Sequence, residues 1–225
     1  MKRSLSVPRA KAAALFIDLQ EEHRRDPRYL VAGFDVILAN VRALQQGARG
    51  AGIPVLHATY VVDPAVRRPF HPVMADGTSA FSDKSDPMTA ICPEVAPAEG
   101  EMLLIKAEAS AFGAISLADD LKARQVEWLV VAGVWTEACV DATVKDAMAL
   151  GFRVVVVKDA CGSGTGAMHQ TAILNLANRL YGGAVTSTET ACRLLGGDTV
   201  DAWQVEGAVP LRFTFANAAA LYESL

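Results

Sequence analysis

One pattern constrains this chain more than any other. Short apolar runs rich in valine, isoleucine and leucine alternate with stretches of helical spacing. The runs lie at 12–17, 53–57, 102–105, 128–133, 153–157 and 184–186. Strands that are apolar on both faces belong to a parallel sheet covered by helices on each side. Between the first two runs, Ile37, Val41, Leu44 and Ala48 recur at i, i+4, i+7 and i+11. That is one stripe of an amphipathic helix, which Asp35 is placed to cap. Further helices are expected at 115–123, 136–150, around Ile173, Leu176 and Leu180, and at 189–195. Gly52 suits the end of the Ile37–Ala48 helix and Gly151 the end of the helix at 136–150. The expected class is α/β. The chain shows no internal repeat, low-complexity tract or linker. One domain over 1–225 is therefore expected, with a core at about 11–195 and a C-terminal extension at 196–225.

Composition narrows the function. With 225 residues, 52% hydrophobic and 20% charged, the chain can bury a sizeable core. A net charge of −4 argues against a nucleic-acid partner, which wants a basic face. Mean hydropathy is +0.24, but the apolar runs are far too short to span a bilayer, so no membrane partner is expected. Residues 1–11 are basic with no apolar segment behind them, which points to a cytoplasmic location. Cysteines stand at 92, 139, 161 and 192, with no CxxC pair, so neither disulfides nor a structural zinc are expected.

Two segments fall outside the alternation. Residues 60–99 form a long connection with six prolines, and loops of that length are usually functional. Residues 196–225 carry Trp203, Phe213 and Phe215 without an evident core, which suits an extra helix or an arm on another subunit.

In open parallel sheets, ligands bind beyond the carboxyl ends of the strands, where the strand order reverses. Asp18 ends the first run and Lys106 the third. Cys139 opens the helix after the fourth. A helix N-terminus favours a thiolate, a nearby Lys106 would favour it further, and Asp18 could take the thiol proton. Backbone N–H groups around 135–139 could hold an oxyanion. From spacing alone, Cys139 could equally be a small buried residue and Asp18 a loop cap.

Three segments carry a resemblance. They are Ala-Leu-Phe-Ile-Asp18-Leu-Gln20, Leu-Leu-Ile-Lys106 with Ser110-Ala-Phe112, and Val-Ala-Gly133-Val-Trp-Thr136-Glu-Ala-Cys139-Val. Together, with His169 in the next helix, they resemble the isochorismatase-like cysteine hydrolases, which include N-carbamoylsarcosine amidohydrolase and nicotinamidase-related amidases. The resemblance implies a three-layer α/β/α, Rossmann-like fold with a six-stranded parallel sheet in the order 3-2-1-4-5-6. It implies a catalytic triad of Asp18, Lys106 and Cys139. It also implies a cis peptide between Val134 and Trp135, with the Trp135 and Cys139 N–H groups as oxyanion hole. In that order Lys106 starts roughly 10 Å from Asp18 and must reach inward. Family members are often dimers or tetramers, so a homo-oligomer is expected.

The sequence also departs from relatives. Metal-dependent nicotinamidases carry Asp-x-His after strand 2, and 57–63 here lacks it. Asp63 and His71 remain a weak candidate pair, and neither a metal nor another cofactor is expected. His57 reads as a strand-end residue near the pocket, His23 as solvated, and His169 as a structural hydrogen-bonding residue. Gly162-Ser-Gly164-Thr-Gly166-Ala167 matches a dinucleotide pattern, but Lys158–Cys161 separates it from the expected strand, so it reads as a flexible loop. Candidate substrate contacts are Gln20, Tyr60, Phe112 and Trp135, with Arg67 and Arg68 for a carboxylate. The implied activity is hydrolysis of a C–N bond in a small amide or ureido compound. A vinyl-ether hydrolase and a non-catalytic binding protein stand as alternatives.

Overall fold

The computed structural model describes residues 1–66, 69–113 and 116–225. Arg67, Arg68 and the start of the helix expected from 115 lie outside the described residues. Among the described residues there are eight strands: β1 (Lys2–Leu5), β2 (Ala12–Ile17), β3 (Val55–Tyr60), β4 (Met102–Lys106), β5 (Trp128–Val134), β6 (Arg153–Gly162), β7 (Ala184–Thr186) and β8 (Val200–Trp203). The helices are α1 (Glu22–Arg25), α2 (Phe34–Gly50), α3 (Leu117–Ala123), α4 (Asp141–Ala149), α5 (Gly166–Ala177), α6 (Thr188–Leu195) and α7 (Ala218–Ser224).

All eight strands form one sheet in the order β1-β8-β7-β6-β5-β2-β3-β4. Strands β2 to β7 are paired in parallel, and β1 and β8 are antiparallel. The six-strand count is thus corrected to eight. Both extra strands come from the chain ends, where the patterns are too short and too polar to read: β1 is mostly exposed and β8 has four residues. Of the two readings of the tail, the extra helix is present as α7, preceded by β8. Residues 200–203 pair with β1, Trp203 is buried, and Lys158 Nζ donates to the Tyr222 carbonyl of α7 at 2.9 Å. The tail therefore packs on its own chain.

The central strands β2 and β5 are buried along their whole length, as a sheet covered on both faces requires. Strand β4, at the edge, leaves Leu103 and Ile105 exposed. In α2, Ile37, Val41, Leu44 and Ala48 are all buried, so the stripe faces the core. Gly33 precedes that helix, and Asp35 sits in its first turn rather than at the cap. Strand β6 runs on through Lys158–Cys161 to Gly162, which a cut at residue 157 missed. No helix among the described residues is long and apolar enough to cross a membrane.

Strand β2 lies between β3 and β5, and β5 continues to β6 on the other side. The chain's winding reverses at the β2–β5 pair, so the carboxyl ends of β2, β3, β4 and β5 surround one crevice. Two backbones meet closely there. A Cβ on Gly133 would lie 2.1 Å from the Ile17 carbonyl oxygen, and Gly133 has φ +132°. Only glycine lets β5 pass this near the residue that leads into Asp18.

Candidate active site

A cavity of about 360 Å³ opens at this crevice. Asp18, Tyr60 and Trp135 bring the ends of β2, β3 and β5 into its wall, and Cys139 joins them from a single π-helical turn, Thr136–Val140. Asp18 turns out of its strand in the left-handed region, with φ +51°, and its N–H donates to the Ala58 carbonyl at 2.8 Å. Asp is one of the residues that tolerates this conformation. The Val134–Trp135 peptide is cis.

Lys106 reaches inward as its strand ends. Its Nζ donates to Asp18 Oδ2 at 2.8 Å and to the Glu108 carbonyl at 3.1 Å, and lies 4.6 Å from the centroid of the Tyr60 ring. Both charged side chains are buried. Burial raises the Asp18 pKa, and Lys106, as a nearby cation and donor, pulls it back in part. Asp18 Oδ1 makes no hydrogen bond, one of two such buried side-chain atoms among the described residues. Cys139 is near enough for the thiol and carboxyl group to shift each other's protonation.

The thiol itself differs from the sequence expectation. Burial, and then the Asp18 charge, push Cys139 up to about 12, and Lys106 offsets this only in part. The dehydrated wall outweighs the helix terminus and favours the neutral thiol.

The other candidates divide. Trp135 and Tyr60 line the cavity. Gln20 also lines it, but its side chain is committed to the framework. Nε2 donates to the carbonyls of Tyr60 and Thr89 at 3.0 and 2.8 Å, and Oε1 accepts from the Tyr60 N–H at 3.1 Å. Phe112 is a correction: its ring stacks on Phe152 at 5.9 Å, away from the cavity. The 3-10 turn Ala111–Gly113 is tied to α4 through the Ala111 N–H and Thr143 Oγ1 at 3.0 Å, which carries the ring outward. Arg67 and Arg68 lie outside the described residues.

Among the histidines, His23 is buried in the cavity wall, not solvated. Its Nδ1 accepts from Trp135 Nε1 at 3.3 Å, and burial lowers its pKa to about 4. His57 is not at the pocket. It bonds Glu101 at 3.0 Å beneath α2, beside Arg49. His169 bonds Thr136 Oγ1 at 2.8 Å and the Tyr222 hydroxyl at 3.0 Å, and so braces the turn that carries Cys139. Asp63 pairs with Lys84 at 2.6 Å and His71 bonds Ser79 at 2.6 Å. Glu21, Cys92 and Glu94 bring three potential ligand atoms within 4.8 Å of one another. Arg24 binds both carboxylates of that group, at 2.5 and 2.8 Å, which a cation would have to displace.

Two glycines of the 162–167 pattern face packed side chains and not an open phosphate cradle. A Cβ on Gly162 would strike Ile37 at 2.2 Å, and one on Gly164 would strike Trp135 at 2.7 Å. These glycines admit neighbouring side chains instead.

Sequence reasoning missed Glu22, Tyr29, Phe81 and Ser82 in the wall. The long 60–99 connection signalled the last two as a region, without singling them out. Tyr29 had no signal.

Comparison with known proteins agrees with the geometry. A family model described as "Isochorismatase domain" matches residues 12–190. A maleamate amidohydrolase of Pseudomonas putida is 33% identical over 82% of this chain and 87% of its own. An N-carbamoylsarcosine amidase of an Arthrobacter species is 29% identical over 72% of this chain and 62% of its own. The crystal structure of a cysteine hydrolase from Pseudomonas syringae pv. phaseolicola superposes with a TM-score of 0.77 at 19% identity, covering 85% of this chain and 95% of that one, a likeness of fold. The match over most of the chain, with the crevice at the β2–β5 switch, shows that this protein belongs to the isochorismatase family.

Proposed function

We propose that this protein is a metal-independent cysteine amidohydrolase that cleaves a C–N bond of a small amide or ureido compound through a thioester. The observation that carries the reading is the buried Lys106–Asp18 pair at 2.8 Å with Cys139 beside it in the cavity. The maleamate amidohydrolase and the N-carbamoylsarcosine amidase among its relatives support hydrolysis of this kind.

With a neutral resting thiol, deprotonation accompanies attack. Asp18 takes the Cys139 proton while sulfur bonds the carbonyl carbon. The oxyanion so formed is received by the backbone N–H groups of Trp135 and Cys139. Asp18 gives its proton to the nitrogen, the C–N bond breaks, and ammonia or an amine leaves. Water then adds to the thioester, Asp18 takes one of its protons and returns it to sulfur, and the acid is released. Lys106 supports the ionised carboxylate that both halves need. Tyr60 and Trp135 wall the substrate, and Gln20 holds Tyr60 in place.

Four free thiols suit work in the reducing cytoplasm. The exposed Leu103 and Ile105 on edge strand β4 support assembly into a homo-oligomer, for which the test is mass in solution.

Ammonia release across a panel of amides and ureido acids, with Cys139→Ala as control, tests the reading. Release that depends on Cys139 supports it. Cleavage of a vinyl ether with no ammonia, or tight ligand binding without turnover, would replace it.

A further inference from the structure

The cavity carries a charge that the proposed chemistry does not use. Glu22, in α1, faces the same space as Asp18 and Cys139 and is buried. Its carboxylate accepts the Ser82 N–H at 2.8 Å and the Ser82 hydroxyl at 2.5 Å. The basic group paired with it among the described residues is His23, at 4.0 Å, and burial keeps that ring neutral near pH 7. Lys106 is already taken by Asp18 and the Glu108 carbonyl. Among the described residues, two carboxylates thus line the cavity, and Lys106 pairs with one of them, Asp18.

The remaining wall is aromatic. Tyr29 and Tyr60 each contact Phe81 with ring centroids 5.6 Å apart, and Trp135 packs edge-on to His23 at 6.2 Å in the same wall. A buried carboxylate without a cation is costly unless hydrogen-bonded. Ser82 supplies two donors, yet burial, with a smaller contribution from Asp18, still raises the Glu22 pKa. A ligand cation would remove that cost. Aromatic faces attract an ammonium group, and a carboxylate can take its protons in charge-assisted hydrogen bonds. A ligand carboxylate in the same place would meet like charge.

We infer that the substrate end remote from the scissile amide is an ammonium group, held by Glu22 among the rings of Tyr29, Phe81 and Trp135. This rests on amide hydrolysis at Cys139 and names the substrate class for that same site.

Three matched amides test it: 4-aminobutanamide, pentanamide and succinamate, whose far ends are cationic, neutral and anionic. Ammonia release should give kcat/KM in that order. In Glu22→Gln, the ratio of 4-aminobutanamide to pentanamide should fall about ten-fold or more, the scale of a lost charge-assisted contact. Taking the ratio within one variant removes any general loss of folded enzyme. Calorimetric binding of the three compounds to Cys139→Ala repeats the test without catalysis. If none is hydrolysed but 4-aminobutanamide still binds tightest, the charge assignment stands and hydrolysis falls. A preference for succinamate, lost in the Arg67→Ala/Arg68→Ala variant, would overturn the inference and give the far end to that pair. A ratio unmoved by Glu22→Gln would overturn it as well.

Discussion

Replacing Gln20 with leucine separates two roles that the same position could play. The side chain is fully buried, and its amide makes three hydrogen bonds to backbone groups of Tyr60 and Thr89. Leucine fills nearly the same space but leaves two carbonyls and one N–H without that partner. Each buried orphan costs about 1–3 kcal/mol. Allowing for relaxation and non-additivity, the sum is about 3–5 kcal/mol, a large share of the stability of an ordinary domain. For a chain of this size that corresponds to a melting point lower by about 6–20 °C. Urea unfolding and a thermal melt read this directly. Because Tyr60 carries Lys106 on its ring face, kcat should fall with it. A loss under about 1 kcal/mol with KM raised ten-fold would refute the reasoning, since it would mean that the amide serves the substrate and not the framework.

Other outcomes follow from the same geometry. Gly133→Ala would place a Cβ 2.1 Å from the Ile17 oxygen at φ +132°, so it should cost more than about 4 kcal/mol or yield no folded protein; a soluble, normally melting variant would contradict this. His23 and His169 are held at about 4, against 6.5 when unfolded, so acid protonates the unfolded chain first. Their stabilising effect is complete above pH 6.5 and is lost as pH falls toward 4, by up to about 3 kcal/mol each; urea midpoints at pH 7 and pH 4.5 check it. Turnover requires ionised Asp18, whose pKa is raised, so the acid limb of kcat/KM should lie above the ordinary carboxylate value of 3.8. Lys106→Ala removes the charge that lowers that pKa, so the limb should move to higher pH as the rate falls; an unmoved limb would assign it to another group.

How much of this was legible without coordinates depends on the kind of signal. The apolar runs at 12–17 and 128–133 announce buried strands, because nothing polar interrupts them, and Ile37 to Ala48 fall on one helical face. Strand β8 is four residues long and pairs with a chain end 200 residues away, so no local pattern could reveal it. Asp18 and Lys106 were readable as residues at strand ends and Cys139 as one in the turn after a strand. Their electrostatics were not. A helix start suggested a thiolate, but burial is a property of the whole wall, and it reverses the sign for Cys139. Phe112 illustrates the same limit: one turn of chain decides whether a ring faces the cavity or Phe152. His23 reads as solvated in a Glu-Glu-His-Arg-Arg run, and only the fold of α1 against the loop at Ser82 buries it together with Glu22.

The central claim is that Cys139 carries the acyl group. Rapid quenching of the enzyme with a turned-over amide, followed by intact and peptide mass spectrometry, tests it most directly. The account predicts a mass increase equal to the acyl fragment, confined to the peptide containing Cys139 and absent in Cys139→Ser. Acylation of Cys92, Cys161 or Cys192 instead, or undiminished turnover by Cys139→Ala, would contradict it.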